Sequence, residues 1–171
     1  MHRRGLVTGT VGNVSVRSGD GMLITPTRQA FVEMRPADVV AIGLNGKRIV
    51  AGRGEPSIEW PLHAAIYRAR PDVSAIVHTH SPYATARSFD PAPIIVRTEE
   101  RVYLDLTEVA VARMLAAGSE ALAAETVAAL GSRFAVLLAR HGVVAVGTTL
   151  DGALEMCSTV EHQAQIDWLL T

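Results

Sequence analysis

The sequence predicts a three-layer α/β/α domain, and three observations lead to that prediction. Short strand-like segments are separated by turn residues, which is typical of antiparallel hairpins. Two apolar runs, at 134–139 and 143–147, indicate strands joined by a tight turn. Segments with helix start and stop signals lie between the strands. Hairpins and helices on one apolar sheet pack as layers, with the sheet in the middle.

Two hairpins are predicted near the start of the chain. Their strands are expected at 13–17, 22–25, 39–44 and 48–50. The first pair flanks the turn at 18–21 (SGDG), whose glycines and aspartate tolerate a positive φ. The second pair flanks Asn45 and Gly46, which together are a strong hairpin signal.

A helix is predicted over 57–70, with Ser57 as its N-cap, Pro61 in its first turn and Pro71 just beyond its end. The elements that follow are expected as strands at 73–78, 94–96, 134–139 and 143–147, and helices at 82–88, 107–130 and 149–170.

The sequence indicates a break in one of these helices and a cap for another. Residues 107–130 are rich in alanine, which favours a helix, and a break is expected near Gly118 and Ser119. The last helix, which ends near Leu170, is expected to be capped by Thr149 or Asp151.

Composition excludes several classes of protein. With 171 residues, 49% of them hydrophobic, the chain is expected to form one domain over 1–171. A net charge of −1 gives no signal for nucleic acid or an anionic membrane. The single cysteine, Cys157, excludes an internal disulfide and a cysteine-based zinc site. No apolar run is long enough to span a membrane, and no signal peptide is evident, so a cytoplasmic location is expected.

Three histidines are candidates for one metal site. His78 and His80 end a predicted strand, and side chains at i and i+2 share one face of a strand. His141 lies in the tight turn between two apolar strands. Three imidazoles with an open position form a typical catalytic zinc site. The alternative is that these are core histidines, and His63, inside a predicted helix, is expected to be structural or to support a ligand.

Candidate substrate-binding residues lie in the loops before and after the first hairpin. Thr10 and Asn13 belong to a segment rich in glycine and threonine, and Thr27 and Arg28 follow the next strand. With Ser57, these residues supply hydroxyl and backbone donors and one cation, which suit a phosphate. Ordinary turn chemistry explains each segment equally well.

Glu59 follows Ser57 in the first turn of the predicted helix. A carboxylate in that position is favoured by the helix dipole and needs no catalytic role to explain it.

Three segments together resemble the class II aldolase/adducin family. They are TGTVGNVSVRSGDGMLITPT, PSIEWPLHAAIYRARPDVSAIVHTHSPYATA and LLARHGVVAVG, and they occur in the family's order along nearly the whole chain. The resemblance implies a central, mostly antiparallel sheet flanked by helices. It also implies a homotetramer with four-fold symmetry and active sites at the subunit interfaces.

The resemblance also implies roles for individual residues. His78, His80 and His141 would bind Zn²⁺, and the same donors accept Mn²⁺ or Co²⁺. Glu59 would be the carboxylate that acts as acid and base beside the metal. The pocket for the substrate phosphate would contain Thr10, Asn13, Thr27 and Ser57, with Arg28 adding a charge.

The implied reaction is cleavage of a small phosphorylated ketose, or a related hydroxy-carbonyl compound, through a metal-stabilised enediolate. An aldolase without a metal needs a buried Schiff-base lysine. The only lysine among 16 basic residues is Lys47, beside a hairpin turn, so a metal mechanism is expected. Two alternatives remain: an epimerase, dehydratase or decarboxylase acting on a similar substrate, and a non-catalytic adducin-like scaffold.

The chain departs from the sugar-phosphate aldolases of the family at three points. Ile58 stands in place of a serine and Arg28 in place of a glycine. Both ends are expected to be short, without the family's N-terminal helix and without the C-terminal arm that carries a tyrosine.

Overall fold

A computed structural model describes residues 1–49 and 54–170. The strands within these residues are β1 (Asn13–Ser18), β2 (Gly21–Ile24), β3 (Val40–Gly43), β4 (Ala75–Thr79), β5 (Ile94–Ile95), β6 (Glu108–Ala112), β7 (Ala135–Leu138) and β8 (Gly142–Gly147). The α-helices are α1 (Trp60–Ala69), α2 (Pro82–Arg87), α3 (Glu100–Tyr103), α4 (Glu120–Leu130) and α5 (Leu150–Leu169). No helix of the described residues is long and apolar enough to cross a membrane.

The eight strands of the described residues form one sheet in the order β3-β2-β1-β4-β8-β7-β6-β5. All neighbouring strands are antiparallel except β6 and β7, which run parallel. The predicted, mostly antiparallel sheet is therefore confirmed. The order brings β1, β4 and β8 to the middle of the sheet, where the candidate histidines lie.

Helices cover both faces of the sheet, which confirms the three layers. Helices α1 and α4 pack together on one face, and α2 and α5 pack together on the other. Strand β4 contributes to both interfaces, because Ile76 packs toward α1 and α4 while Ala75 and Val77 pack toward α2 and α5. His78 has the same parity as Ile76 and therefore points to the α1 side.

The helix predicted over 107–130 is wrong in its first part. Residues 108–112 form β6, which pairs with β7, and Val109 and Ala112 are fully buried there. Burial and strand pairing override the helical preference of alanine. The break near Gly118 is confirmed, since Gly118 has a φ of +74° and the Ser119 hydroxyl accepts a hydrogen bond from Leu122 N–H as the N-cap of α4.

The start of α1 differs from its prediction, whereas the start of α5 agrees with it. Helix α1 begins at Trp60, three residues later than predicted, and Ser57 is not its N-cap. Instead, the Ser57 hydroxyl accepts a hydrogen bond from Glu59 N–H at 3.3 Å, inside the turn before the helix. Of the two predicted caps of α5, Thr149 is the one observed, and its hydroxyl accepts a hydrogen bond from Gly152 N–H.

The second hairpin is confirmed at its turn. Gly46 has a φ of +79°, and Gly43 N–H donates to the Lys47 carbonyl. In the predicted strand 48–50, Arg48 forms a single bridge to Ile42, and Val50 lies outside the described residues.

Candidate metal centre

The sheet brings the three candidate histidines together at one end of β4 and β8. His78 lies within β4, opposite Val144 of β8, and His80 follows directly after the strand. His141 precedes β8 in the tight turn from β7, in which Arg140 has a φ of +58°. The turn closes tightly on β4, because a Cβ at Gly142 would lie 2.2 Å from the Thr79 carbonyl oxygen.

Three imidazoles and one carboxylate converge at this point. The ring centroids of the three histidines lie 4.7 to 4.8 Å apart. His78 Nε2 lies 3.1 Å from Glu59 Oε2, and His141 Nε2 lies 3.5 Å from Glu59 Oε1. One ligand atom of each of the four residues lies within 4.8 Å of the others. Glu59, His78, His80 and His141 therefore form one compact group, the histidine-glutamate cluster.

A backbone contact orients the ring of His78. Its Nδ1 lies 2.9 Å from the Val143 carbonyl oxygen, which can only accept, so Nδ1 carries the hydrogen and donates it. The lone pair of the neutral ring is then on Nε2, which faces His80 Nε2 at 3.0 Å. Such a backbone partner is typical of metal-binding histidines, because it fixes the tautomer.

The electrostatics of the cluster favour a cation between the rings and the carboxylate. Burial opposes ionisation of Glu59, but His78 and His141 lower the pKa of its carboxyl below the ordinary value. Burial opposes protonation of His78, yet Glu59 and a backbone carbonyl raise its pKa. Burial and repulsion from His78 lower the pKa of His80 to about 3 and that of His141 to about 4. His80 and His141 are thus neutral at pH 7 and keep a lone pair for a metal.

The residues of the cluster fit a divalent metal ion. Glu59 Oε1 is buried and has no hydrogen-bond partner among the described residues. A buried carboxylate oxygen without a partner is costly unless a cation satisfies it. Imidazole nitrogens with one carboxylate suit zinc, manganese or cobalt. A divalent ion held by the three histidines beside Glu59 would account for both the geometry and the unpaired oxygen.

A cavity of about 280 Å³ opens beside the cluster. It is lined by the predicted site residues Thr10, Asn13, Thr27, Arg28, Ser57, Glu59, His80 and His141. Sequence segments far apart in the chain therefore meet in one place. His78 is buried behind the cavity and does not line it. A larger, more open depression lies around Lys47, away from the cluster.

The cavity also has an apolar side. Val11 and Ile58 line it, both exposed, together with Ala117 from the loop between β6 and α4. This loop lies against the turn before α1, since a Cβ at Gly118 would meet the Ile58 carbonyl oxygen at 2.7 Å. Sequence reasoning missed Ala117 because it placed the segment inside a helix.

The fold and the histidine-glutamate cluster together define the class of protein. It is an α/β/α domain with a candidate metal site at one end of the middle strands of its sheet. The chain belongs to the class II aldolase/adducin family, since the family model "Class II Aldolase and Adducin N-terminal domain" matches residues 1–168. The resemblance noted in the sequence is therefore confirmed.

Three similar proteins are sugar-phosphate aldolases by name. The chain is 38% identical over 164 residues to the 5-methylthioribulose-1-phosphate/5-deoxyribulose-1-phosphate aldolase of Rhodospirillum rubrum, covering 96% of this chain and 73% of that protein. It is 37% identical over 172 residues to the L-fuculose phosphate aldolase of Escherichia coli K12, covering 97% and 76%. A solved L-fuculose 1-phosphate aldolase superposes with a TM-score of 0.91 at 34% identity, covering 98% and 79%.

Proposed function

We propose that this protein is a metal-dependent lyase of the aldolase type. Its substrate is a small phosphorylated ketose or a related hydroxy-carbonyl compound. The observation that carries the proposal is the histidine-glutamate cluster, which lies beside a cavity with hydroxyl donors and one arginine. The family membership and the names of the similar proteins support the same reaction class.

In this proposal, His78, His80 and His141 hold the metal, which we take to be Zn²⁺, with Mn²⁺ or Co²⁺ accepted by the same donors. When bound, a divalent ion supplies Lewis-acid stabilisation of the negative charge that C–C cleavage leaves on the substrate. Glu59 moves the proton, as base in one direction and acid in the other. The lowered pKa of its carboxyl keeps Glu59 ionised at pH 7, which is the form that a base needs.

In this proposal, the cavity beside the cluster binds the phosphate of the substrate. Thr10, Thr27 and Ser57 offer hydroxyl donors, and Arg28 offers a guanidinium that matches the fork of phosphate oxygens. Asn13, also predicted as a phosphate contact, lines the same cavity, while its amide group contacts Glu59.

A retro-aldol assay over a panel of phosphorylated ketoses tests the proposal. The panel includes L-fuculose 1-phosphate, 5-deoxyribulose 1-phosphate and 5-methylthioribulose 1-phosphate. We expect cleavage of at least one substrate, its loss after chelation, and its return with added metal. No cleavage of any panel member by the metal-loaded protein would refute the proposed reaction.

A second candidate keeps the site and changes the reaction to epimerisation, dehydration or decarboxylation. It is favoured by Ile58 and Arg28, which replace the serine and glycine of the family's sugar-phosphate aldolases. Product analysis by NMR separates these outcomes, since an epimer, a dehydrated ketone, loss of CO₂ and two aldol fragments give different spectra. Stoichiometric metal without turnover would instead favour a scaffold.

Arg28 provides a test of the phosphate subsite. Its backbone has a φ of +58°, so the substitution Arg28→Gly relieves strain while removing the cation. We expect the KM for a phosphorylated substrate to rise about tenfold with kcat nearly unchanged, because a charge-assisted contact is lost. Arg28→Lys, which keeps a charge, should recover part of the loss. Equal KM values for all three proteins would place the phosphate elsewhere.

We also propose that the enzyme is a cytoplasmic homotetramer with active sites at subunit interfaces. Large apolar side chains stay exposed in the single chain, among them Phe89, Val102, Tyr103 and Trp168. The subunit interfaces of the proposed tetramer would cover some of these side chains, because interfaces of obligate oligomers are rich in apolar groups. Light scattering at micromolar concentration measures the assembly, and a monomer there would contradict this proposal.

A further inference from the structure

Five side chains from β1, α1 and the turn before α1 form a continuous hydrogen-bond chain behind the metal centre. The chain runs from the Tyr67 hydroxyl to Ser15 Oγ at 2.9 Å, and from Ser15 Oγ to His63 Nδ1 at 2.7 Å. It continues from His63 Nε2 to Asn13 Oδ1 at 2.5 Å, and from Asn13 Nδ2 to Glu59 Oε2 at 2.8 Å. All five residues are buried, and His63 is fully enclosed.

The spacing of these residues explains how the chain forms. Glu59, His63 and Tyr67 recur every four residues, so they lie along one side of α1 and its entry. Asn13 and Ser15 are two apart in β1, so they share one face of that strand. The face of β1 and the side of α1 therefore meet through polar groups, in the middle of an otherwise apolar interface.

The direction of every hydrogen bond follows from Glu59. Its ionised carboxylate can only accept, so the Asn13 amide donates to it and turns its carbonyl toward His63. His63 Nε2 must then carry the ring hydrogen, which leaves Nδ1 as an acceptor for the Ser15 hydroxyl. Tyr67 in turn donates to Ser15. Every hydrogen bond in the chain is therefore donated in the direction of Glu59.

We propose that His63 is a positioning residue, which acts through Asn13 to fix the orientation of the Glu59 carboxylate. The inference rests on the proposed role of Glu59 as acid and base. His63 itself offers no free ligand atom, because both ring nitrogens are engaged. Its effect is to hold the Asn13 amide with the donor side toward Glu59, since the opposite orientation would set the Asn13 Nδ2 donor against the His63 Nε2 donor.

The consequence for Glu59 is a difference between its two oxygens. Oε2 accepts a hydrogen bond from the Asn13 amide and lies 3.1 Å from His78 Nε2. Oε1 has no hydrogen-bond partner among the described residues and lies 3.5 Å from His141 Nε2. A fixed Oε2 leaves Oε1 as the oxygen available for proton transfer or for the metal. Burial lowers the pKa of His63 to about 3, so the neutral ring that this arrangement needs is the form present at pH 7.

The kinetic test compares His63→Phe with His63→Gln. Phenylalanine removes both polar ring positions, whereas the glutamine amide can donate toward Asn13 and accept from Ser15. We expect His63→Phe to lower kcat by about 30- to 100-fold, with KM within about threefold and metal content unchanged. His63→Gln should recover most of the rate, a rescue that a purely structural role of the ring would not produce.

Two further variants guard against a purely structural effect. Ser15→Ala removes the donor to His63 Nδ1 and also the acceptor of the Tyr67 hydroxyl, while the His63 ring stays beside Asn13. It should lower kcat as His63→Phe does, but less, with KM and metal content unchanged. Ile66→Val alters a buried residue of the same helix outside the chain, and should lower thermal stability without changing kcat. If His63→Phe fails to fold, Ser15→Ala decides the kinetic test, and an unchanged kcat there would refute the positioning role.

A measurement without any substrate or metal tests the chain directly. In the metal-free wild-type protein at pH 7, nitrogen-15 NMR of the His63 ring should show a neutral ring protonated at Nε2. Protonation at Nδ1, or a charged ring, would overturn the inference. If the wild-type protein has no metal-dependent reaction, the proposed function fails, and the ring tautomer still decides whether the hydrogen-bond chain exists.

Discussion

Replacing His78 with alanine should remove the metal and the reaction together. His78 is the proposed ligand that is fully buried, and the Val143 carbonyl fixes its ring, so water cannot take its place with the same geometry. Outer-shell partners alone are worth about 10- to 100-fold in metal affinity or activity, so the loss of a direct ligand should exceed this, at about 10³-fold in kcat/KM. Elemental analysis of purified protein should find less than about a tenth of the wild-type metal content.

The matched control is His162→Ala, which removes an exposed histidine of α5. It should keep the wild-type metal content and rate. Chelation of the wild-type protein should reproduce the defect of His78→Ala. Added metal should restore the activity of the chelated wild-type protein but not that of the variant. Full metal content with an unchanged rate in His78→Ala would rule out the histidine-glutamate cluster as the metal site.

Glu59→Gln should separate metal binding from proton transfer. Glutamine keeps the size of the side chain but cannot accept a proton from carbon or hydroxyl. Positioned acids and bases contribute about 10²- to 10⁴-fold, and we expect kcat to fall within this range. The three imidazoles remain, so the protein should still bind metal in near-stoichiometric amounts. Steady-state kinetics and elemental analysis of the same preparation check both parts.

The control for this substitution is Glu33→Gln, which neutralises an exposed carboxylate away from the cavity. It should leave kcat and metal content unchanged. A decrease of less than about tenfold in Glu59→Gln would show that another group moves the proton. Loss of the metal in that variant would show that Glu59 is needed mainly as a ligand.

The three histidines of the cluster could be predicted because the placement of each depends only on neighbouring residues in the sequence. His78 and His80 need only a strand to share one face, and the apolar run before them indicates that strand. His141 needs only a tight turn, which the neighbouring apolar strands and Gly142 indicate. Glu59 was harder, because a carboxylate at the start of a helix is explained by the dipole alone. That β1, β4 and β8 are neighbours could not be predicted from the residues and is known only from the order of strands in the sheet.

The hydrogen-bond chain behind Glu59 could not be predicted from either of its segments alone. In the sequence alone, Ser15 is an ordinary polar residue of a strand, and Tyr67 is an ordinary aromatic residue on the buried side of a helix. The four-residue spacing of Glu59, His63 and Tyr67 is a signal of a shared helix side, but it gains meaning only when that side faces β1. The helix predicted over 108–112 was wrong because the local signal there is misleading. The segment has a local preference for a helix, but it pairs with β7 as a strand.

Strand β4 presents apolar residues to both layers, with Ile76 on one side and Ala75 and Val77 on the other. A strand that is apolar on both faces has no alternating pattern to choose its alignment, and a slip of one residue would exchange its faces at little hydrophobic cost. The polar groups make the choice, because only the observed alignment lets His78 donate to the Val143 carbonyl and face Glu59. The residues proposed to form the metal site therefore also select the register in which the central strands pair.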